Sequence, residues 1–323
     1  MQLISRPPAT KEAASVRPPT GSRQSRARHI GTILLFLLPS SILYLVFVLL
    51  PVVQAAYYSL FHWNGLGPLT EFYGLKNYVL AITDNVFLKA FSNNLIIVVL
   101  SLLIQLPFAL MLALTIGKNL PGRTIFRTIF FLPYILSDVV TGVIWTFIYR
   151  PDGGLLNTAL QHLFPGYQAQ LWLADPKMVL GCIFLVMVWK YFGLHLVLYM
   201  AAIQSIPDEV VEAARIDGSS PLQVVRYITV PLLGSTIRLS IFLSALGSLQ
   251  YFDLIWVMTS GGPVHASETM ATYLLQYGFK SFQMGYGSAI GVIMFVTCFV
   301  FALMYQRLIM RRDLVGSLTE NQV

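Results

Sequence analysis

"SIPDEVVEAARIDGSSPLQVVRYITVPLL", Ser205 to Leu233, is a polar passage set between two long apolar runs. It holds four carboxylates, two arginines, one glycine and three prolines, spaced as the punctuation of two short helices. Pro207 is expected at a first helical position, with Asp208, Glu209 and Glu212 complementing the positive N-terminal end of that helix. Val210, Val211, Ala213, Ala214 and Ile216 give it an apolar side. Gly218 falls where a left-handed C-terminal cap belongs. Ser220 is then the N-cap of a second helix with Pro221 at its first position, and Pro231 breaks or kinks that helix as the next apolar run begins. A loop that only joins two spans needs far fewer residues. A rigid protrusion of this kind suits docking.

The runs on either side set the fold class. Of 323 residues, 56% are hydrophobic and 11% charged, whereas a soluble domain is about a quarter charged. Six runs, near 31–57, 91–116, 128–149, 178–204, 232–258 and 286–307, are long enough for a hydrocarbon core of about 30 Å, which takes roughly 20 residues of helix. The expectation is an all-α polytopic membrane protein with six transmembrane helices, the passage at 205–231 forming a cytoplasmic loop between helices 4 and 5. Residues 1–29, with Pro-Pro pairs and basic side chains, are expected to be a disordered tail, and residues 30–323 a single six-span domain. The first apolar run is too long for a signal-peptide core and reads as an uncleaved anchor.

Basic residues orient the chain. Arg6, Lys11, Arg17, Arg23, Arg26 and Arg28 precede span one; Lys118, Arg123 and Arg127 follow span two; Arg215 and Arg226 lie in the opening passage; Arg307, Arg311 and Arg312 follow span six. The alternate side has only Lys76, Lys89, Arg150, Lys177 and Lys280. By the positive-inside rule both termini and the passage are cytoplasmic. This bias accounts for the net charge of +7, so nucleic acid is not implied.

On the other side, 59–89 reads as a turn followed by a short interfacial helix, Pro151–Gly154 as a tight turn, and the segment after Thr259 as a Gly-Gly-Pro turn leading into an amphipathic helix. Cys182 and Cys298 lie within apolar runs and suit packed thiols. Gly287 and Gly291, four apart, suit helix packing. Lys190 is the most costly residue in any span, and either a transport pathway or a structural ion pair accounts for it. Asp138, Arg238 and Asp253 lie nearer span ends; such residues face a bundle interior or a watery cavity, or, for Asp138 and Arg238, snorkel to an interface. Ser244, Ser248, Gln250 and Tyr251 suit either helix-to-helix hydrogen bonds or a polar substrate. No phosphate-cradling loop, metal-ligand spacing or nucleophile elbow appears, so uphill transport would draw on an ion gradient or on another subunit. An ion-coupled transporter or channel, with Lys190, Asp253 and Asp138 as charge relay, is the alternative, and it leaves the protrusion without a role.

Glu212-Ala213-Ala214, then Gly218, Ile228 and Pro231, resembles the EAA signature of ABC-transporter permeases, with Val230 where leucine is usual. "LLPSSILYLVFVLLPVVQAAYYSLFHWNG" (37–65), "YGLKNYV" (73–79) and "TSGGPVHASETMATYLLQYGFKSFQMGYGSAIGVIMF" (259–295) are similar to the sugar-importer branch, typified by maltose and glycerol-3-phosphate permeases. The resemblance covers about 30–310. It implies a prokaryotic plasma-membrane permease that is not itself an enzyme and binds no cofactor. The partners it implies are a cytoplasmic ATPase dimer using ATP and Mg, a second permease subunit, and an extracytoplasmic binding protein delivering a carbohydrate. Glu212, Ala213, Ala214, Gly218, Ile228 and Pro231 would couple to the ATPase. By register the substrate pathway would include Trp189, Lys190, Tyr191, Ser244, Ser248 and Tyr251. Lys190 replaces an expected apolar residue, which points to recognition of an anionic or unusual sugar.

Overall fold

The computed structural model describes residues 23–117 and 122–310, and among them the chain is helices and turns with a single isolated bridge between Phe61 and Phe72. Helix α1 occupies residues 23–58. It begins seven residues inside the tail expected to be disordered, where Arg, Gln and Ala favour helix over coil. The rest of that tail, with Arg6, Lys11 and Arg17, lies outside the described residues, as do Lys118, Arg311 and Arg312. Residues up to Val53 form one compact unit; those from Gln54 onward form a second, which contains the cavity and the protrusion described below.

In the second unit, α2 (Lys76–Thr83) leads into α3 (residues 85–116) through Asp84, whose Oδ1 accepts from the backbone N–H groups of Val86 (2.6 Å) and Phe87 (3.1 Å). This satisfies two of the donors that a helix start leaves free. Then come α4 (Arg123–Ile135), α5 (Asp138–Ile148), α6 (Leu155–Leu163) and α7 (Val179–Ser205). The remainder is α8 (Asp208–Ile216), α9 (Pro221–Leu232), α10 (Gly234–Leu249), α11 (Asp253–Thr259), α12 (residues 270–280) and α13 (Met284–Met310).

The stretch Leu35–Tyr58 of α1, together with α3, α7 and α13, is long and apolar enough to cross a bilayer; two bent helix pairs make six if each crosses once. Those pairs depart from the straight spans expected at 128–149 and 232–258. Between α4 and α5 the chain turns by 94°, because Leu136 and Ser137 both take extended backbone angles before Asp138 opens a new helix. Between α9 and α10 it turns by 66° just past Pro231, the kink expected there. The fifth run also ends at Leu249 rather than near 258. Asn94 Nδ2 donates to the carbonyls of Ser248 (2.8 Å) and Leu249 (3.3 Å), and Thr269 Oγ1 to that of Tyr251 (2.9 Å). Side chains thus satisfy the carbonyls that the end of α10 leaves open.

Helix α7 is the centre of this unit. One end of it packs Val179, Ile183, Val186 and Met187 against Ile97 of α3 and Leu254, Ile255 and Met258 of α11. The other end packs Phe192, Leu196, Tyr199, Met200 and Ile203 against Ala109, Ala113 and Ile116 of α3. At Gly193 the backbone of α4 comes so near that an added Cβ would overlap the Phe130 carbonyl. A third cluster joins α2, the start of α3, α12 and α13. Within it Gly287 meets Gly278 backbone to backbone and Gly291 faces Leu274, so the Gly-x-x-x-Gly serves helix packing. Cys182 and Cys298 are free, half-buried thiols.

Candidate functional site

Two features of the second unit carry chemistry: a polar cavity among α3, α4, α5, α7, α10 and α11, and the protrusion formed by α8 and α9.

The cavity has a volume of about 330 Å³. Tyr134, Tyr191 and Tyr251 form an aromatic corner: the Tyr134–Tyr191 and Tyr191–Tyr251 rings meet edge to face at 6.1 and 5.9 Å. Ser101 and Gln105 of α3 face Ser244 and Ser248 of α10, and the Ser101 and Ser248 hydroxyls lie 3.4 Å apart. Asp138, Asp253 and His195 complete the polar wall. His195 is 3% exposed, and its Nδ1 has no hydrogen-bond partner among the described residues. A buried polar atom left open at a cavity wall is available to a ligand.

Of the pathway residues expected from sequence, Tyr191, Ser244, Ser248 and Tyr251 line this cavity, and Trp189 and Lys190 do not. Trp189 packs its ring against Trp145 of α5 at 5.5 Å, facing another side of α7. The Lys190 ammonium lies 3.2 Å from Asp138 Oδ1 and donates to the Leu136 carbonyl. Asp138 Oδ1 also accepts from the Tyr191 hydroxyl at 2.7 Å. Lys190 thus has an ion-pair partner, and Asp138 is half-buried beside it.

Several site residues carried no signal strong enough to be read in the sequence. Gln105, Ser101 and His195 sit singly in apolar runs. Asn93 and Asn94, both fully buried, hold the structure around the cavity. Asn93 Nδ2 donates to the carbonyls of Ala266 (3.0 Å) and Glu268 (2.8 Å), and Asn94 Oδ1 accepts from Met270 N–H (2.9 Å). Adjacent asparagines in a span were the available clue, since buried amides need partners on other elements.

The protrusion is built as its punctuation indicates, with one shift. Pro207 is the N-cap of α8 rather than its first residue, and Asp208 and Glu209 occupy the first turn. At the other end Gly218 has φ +85°; its N–H donates to the Arg215 carbonyl and that of Ser219 to the Ala214 carbonyl, both at 3.0 Å. This is the paired pattern of a Schellman cap. Ser220 and Gln223 then form a reciprocal capping box with Pro221 at the first position. Ala214 is buried, while Glu212 and Ala213 are exposed. Ile216 is 86% exposed and Leu222 76%, on a segment otherwise carrying charges. A groove of about 500 Å³ separates Asp208, Glu212 and Arg215 from the end of α3 at Ile116 and Gly117.

Comparison with known proteins places this architecture. Residues 105–313 match the family described as "Binding-protein-dependent transport system inner membrane component". A Bacillus subtilis protein described as probable ABC transporter permease protein YurN is 35% identical over 275 residues, covering 84% of this chain and 94% of its own. The diacetylchitobiose uptake system permease protein NgcF of Streptomyces coelicolor is 30% identical over 311 residues, covering 91% and 88%. Among solved structures, a chain of a bacterial alginate ABC transporter in complex with an alginate pentasaccharide-bound periplasmic protein superimposes with a TM-score of 0.78 at 23% identity, covering 88% of this chain and 96% of that one. With membrane-length helices, a cavity bearing polar groups and a capped helical protrusion on one chain, and with relatives matched over nearly their full length, the chain belongs to the inner-membrane permease family of binding-protein-dependent ABC transport systems.

Proposed function

We propose that this chain is one permease subunit of an ATP-driven importer for a carbohydrate, with six spans and both termini in the cytoplasm. In this reading α8 is the coupling helix, and Glu212, Ala213, Ala214 and Gly218 enter a groove of a separate ATPase subunit. Ile228 and Pro231 join it to α10, so that closure of the ATPase dimer around ATP and Mg is passed to the span. A second permease subunit completes the pathway, and an extracytoplasmic binding protein delivers the solute. The observation that carries this reading is the protrusion itself. Its helices are closed by a Schellman cap and a capping box, which makes it rigid, and it presents Ile216 and Leu222 to solvent, side chains that a docked subunit would cover.

A carbohydrate is supported by the cavity wall. Three tyrosine rings offer flat apolar faces, and the serine, glutamine and histidine groups offer hydrogen bonds to hydroxyls. Relatives named for diacetylchitobiose uptake and for multiple sugar-binding transport point the same way. In the ion-coupled alternative Lys190, Asp253 and Asp138 relay charge, whereas here Lys190 and Asp138 are closed on each other.

Purification of the tagged chain from its native host in mild detergent, followed by mass spectrometry, tests the assembly. An ATP-binding subunit and a second permease are expected to accompany it. Recovery of the chain alone, in a preparation that still transports, would transfer the case to the gradient-driven class.

A further inference from the structure

The Lys190 ammonium stands where the third span is broken. It donates to Leu136, the residue closing α4, and pairs with Asp138, the residue opening α5. Its side chain is 3% exposed, against 29% for Asp138. The cation is thus spent on the two halves of one bent span, while the carboxylate it holds reaches the cavity. Asp138 in turn fixes the Tyr191 hydroxyl at 2.7 Å, and Tyr191 also lines the cavity.

The charge on the cavity wall follows. Among the described residues two carboxylates border it, Asp138 and Asp253, and no lysine or arginine does. Lys190 compensates Asp138. Asp253, in the first turn of α11, makes no hydrogen bond or ion pair among the described residues. A carboxylate with no ion-pair partner at a cavity wall attracts cations and repels anions.

We propose that Lys190 is an internal counter-charge that positions Asp138 and Tyr191, and that the cavity admits uncharged or amino-bearing hydroxylated solutes and turns away carboxylated and phosphorylated ones. The carbohydrate identity of those solutes rests on the proposed function above; the charge selectivity does not. This reverses the expectation that Lys190 recognises an anionic sugar.

The test reads cavity charge directly and needs no partner subunit. Ser244→Cys is introduced on the cavity wall of a chain whose Cys182 and Cys298 are replaced by alanine. Its reaction rates are compared for two methanethiosulfonate reagents of similar size, one bearing trimethylammonium and one bearing sulfonate, each corrected for its rate with a free thiol. The cationic reagent is expected to react about tenfold faster. Asp253→Asn should bring the ratio toward one. Lys190→Met, which leaves Asp138 uncompensated, should raise it further; Lys190→Arg should preserve it, and Lys190→Met with Asp138→Asn should restore it. Equal rates for both reagents, or a ratio indifferent to Asp253→Asn, would overturn the charge inference. A ratio unmoved by Lys190→Met in folded protein would overturn the counter-charge role. The purification described above judges the importer reading separately.

Discussion

Gly193 and Gly181 lie on the same helix and ask opposite things of their neighbours. A Cβ at Gly193 would overlap the Phe130 carbonyl of α4, whereas one at Gly181 meets nothing within 4 Å. Gly193→Ala is therefore expected to cost about 1–3 kcal/mol, the usual range for overpacking against backbone. It should lower the thermal midpoint of the purified protein in detergent by several degrees, and Gly181→Ala should leave that midpoint unchanged. Equal midpoints for both would mean that α4 does not rest on α7 at this point. Single residues were the least legible level of the sequence. Lys190 stood out as a charge in an apolar run, but its partners lie far earlier in the chain and are within reach only because Leu136 and Ser137 leave the helix. Trp189, its neighbour, suited a sugar face by residue type and instead packs on Trp145, since a helix sends adjacent side chains about 100° apart.

Short helices with strong caps were legible almost to the residue. Gly218, Ser220, Pro221 and Pro231 each do locally what their chemistry favours, because caps depend on backbone groups a few residues away and not on tertiary partners. Bent spans were not legible, because an apolar run records burial and not direction. The protrusion offers a prediction at the same scale. No atom lies within 4 Å of a Cβ placed at Gly218, so the obstacle to substitution is its φ of +85° alone. Left-handed backbone costs a β-branched residue about 1–2 kcal/mol or more, while asparagine visits it readily. Gly218→Val should thus lower ATP-driven uptake strongly at equal membrane levels, and Gly218→Asn should retain most of it. Uptake unchanged in Gly218→Val would remove this cap from the coupling path.

At the scale of the whole molecule, the long straight helices give four crossings of the membrane, and the bent pairs make six if each crosses once. The arrangement of the second unit supports six. The end of α3 at Ile116 and Gly117 borders the same groove as Asp208 and Glu212 of α8, so these two points share one end of the bundle. Helix α7 is 27 residues long and runs from the far end to that groove, where Ile203 and Ile206 also line it. The chain must therefore pass from the groove end to the start of α7 between residues 117 and 179, and α4 with α5 is the apolar segment available to carry it. In the six-span reading proposed above, the bend belongs to one interrupted crossing, with Lys190 holding its two halves. Cysteine accessibility decides this. Thr124, in the first turn of α4, and Gln168, after α5, are both exposed. With Cys182 and Cys298 replaced by alanine, Gln168→Cys should react with an impermeant maleimide added outside intact spheroplasts. Thr124→Cys and Ser219→Cys should react only in inverted vesicles. Labelling of Thr124→Cys and Gln168→Cys from the same side would make the α4–α5 pair re-entrant, and the six-span topology would fall with it.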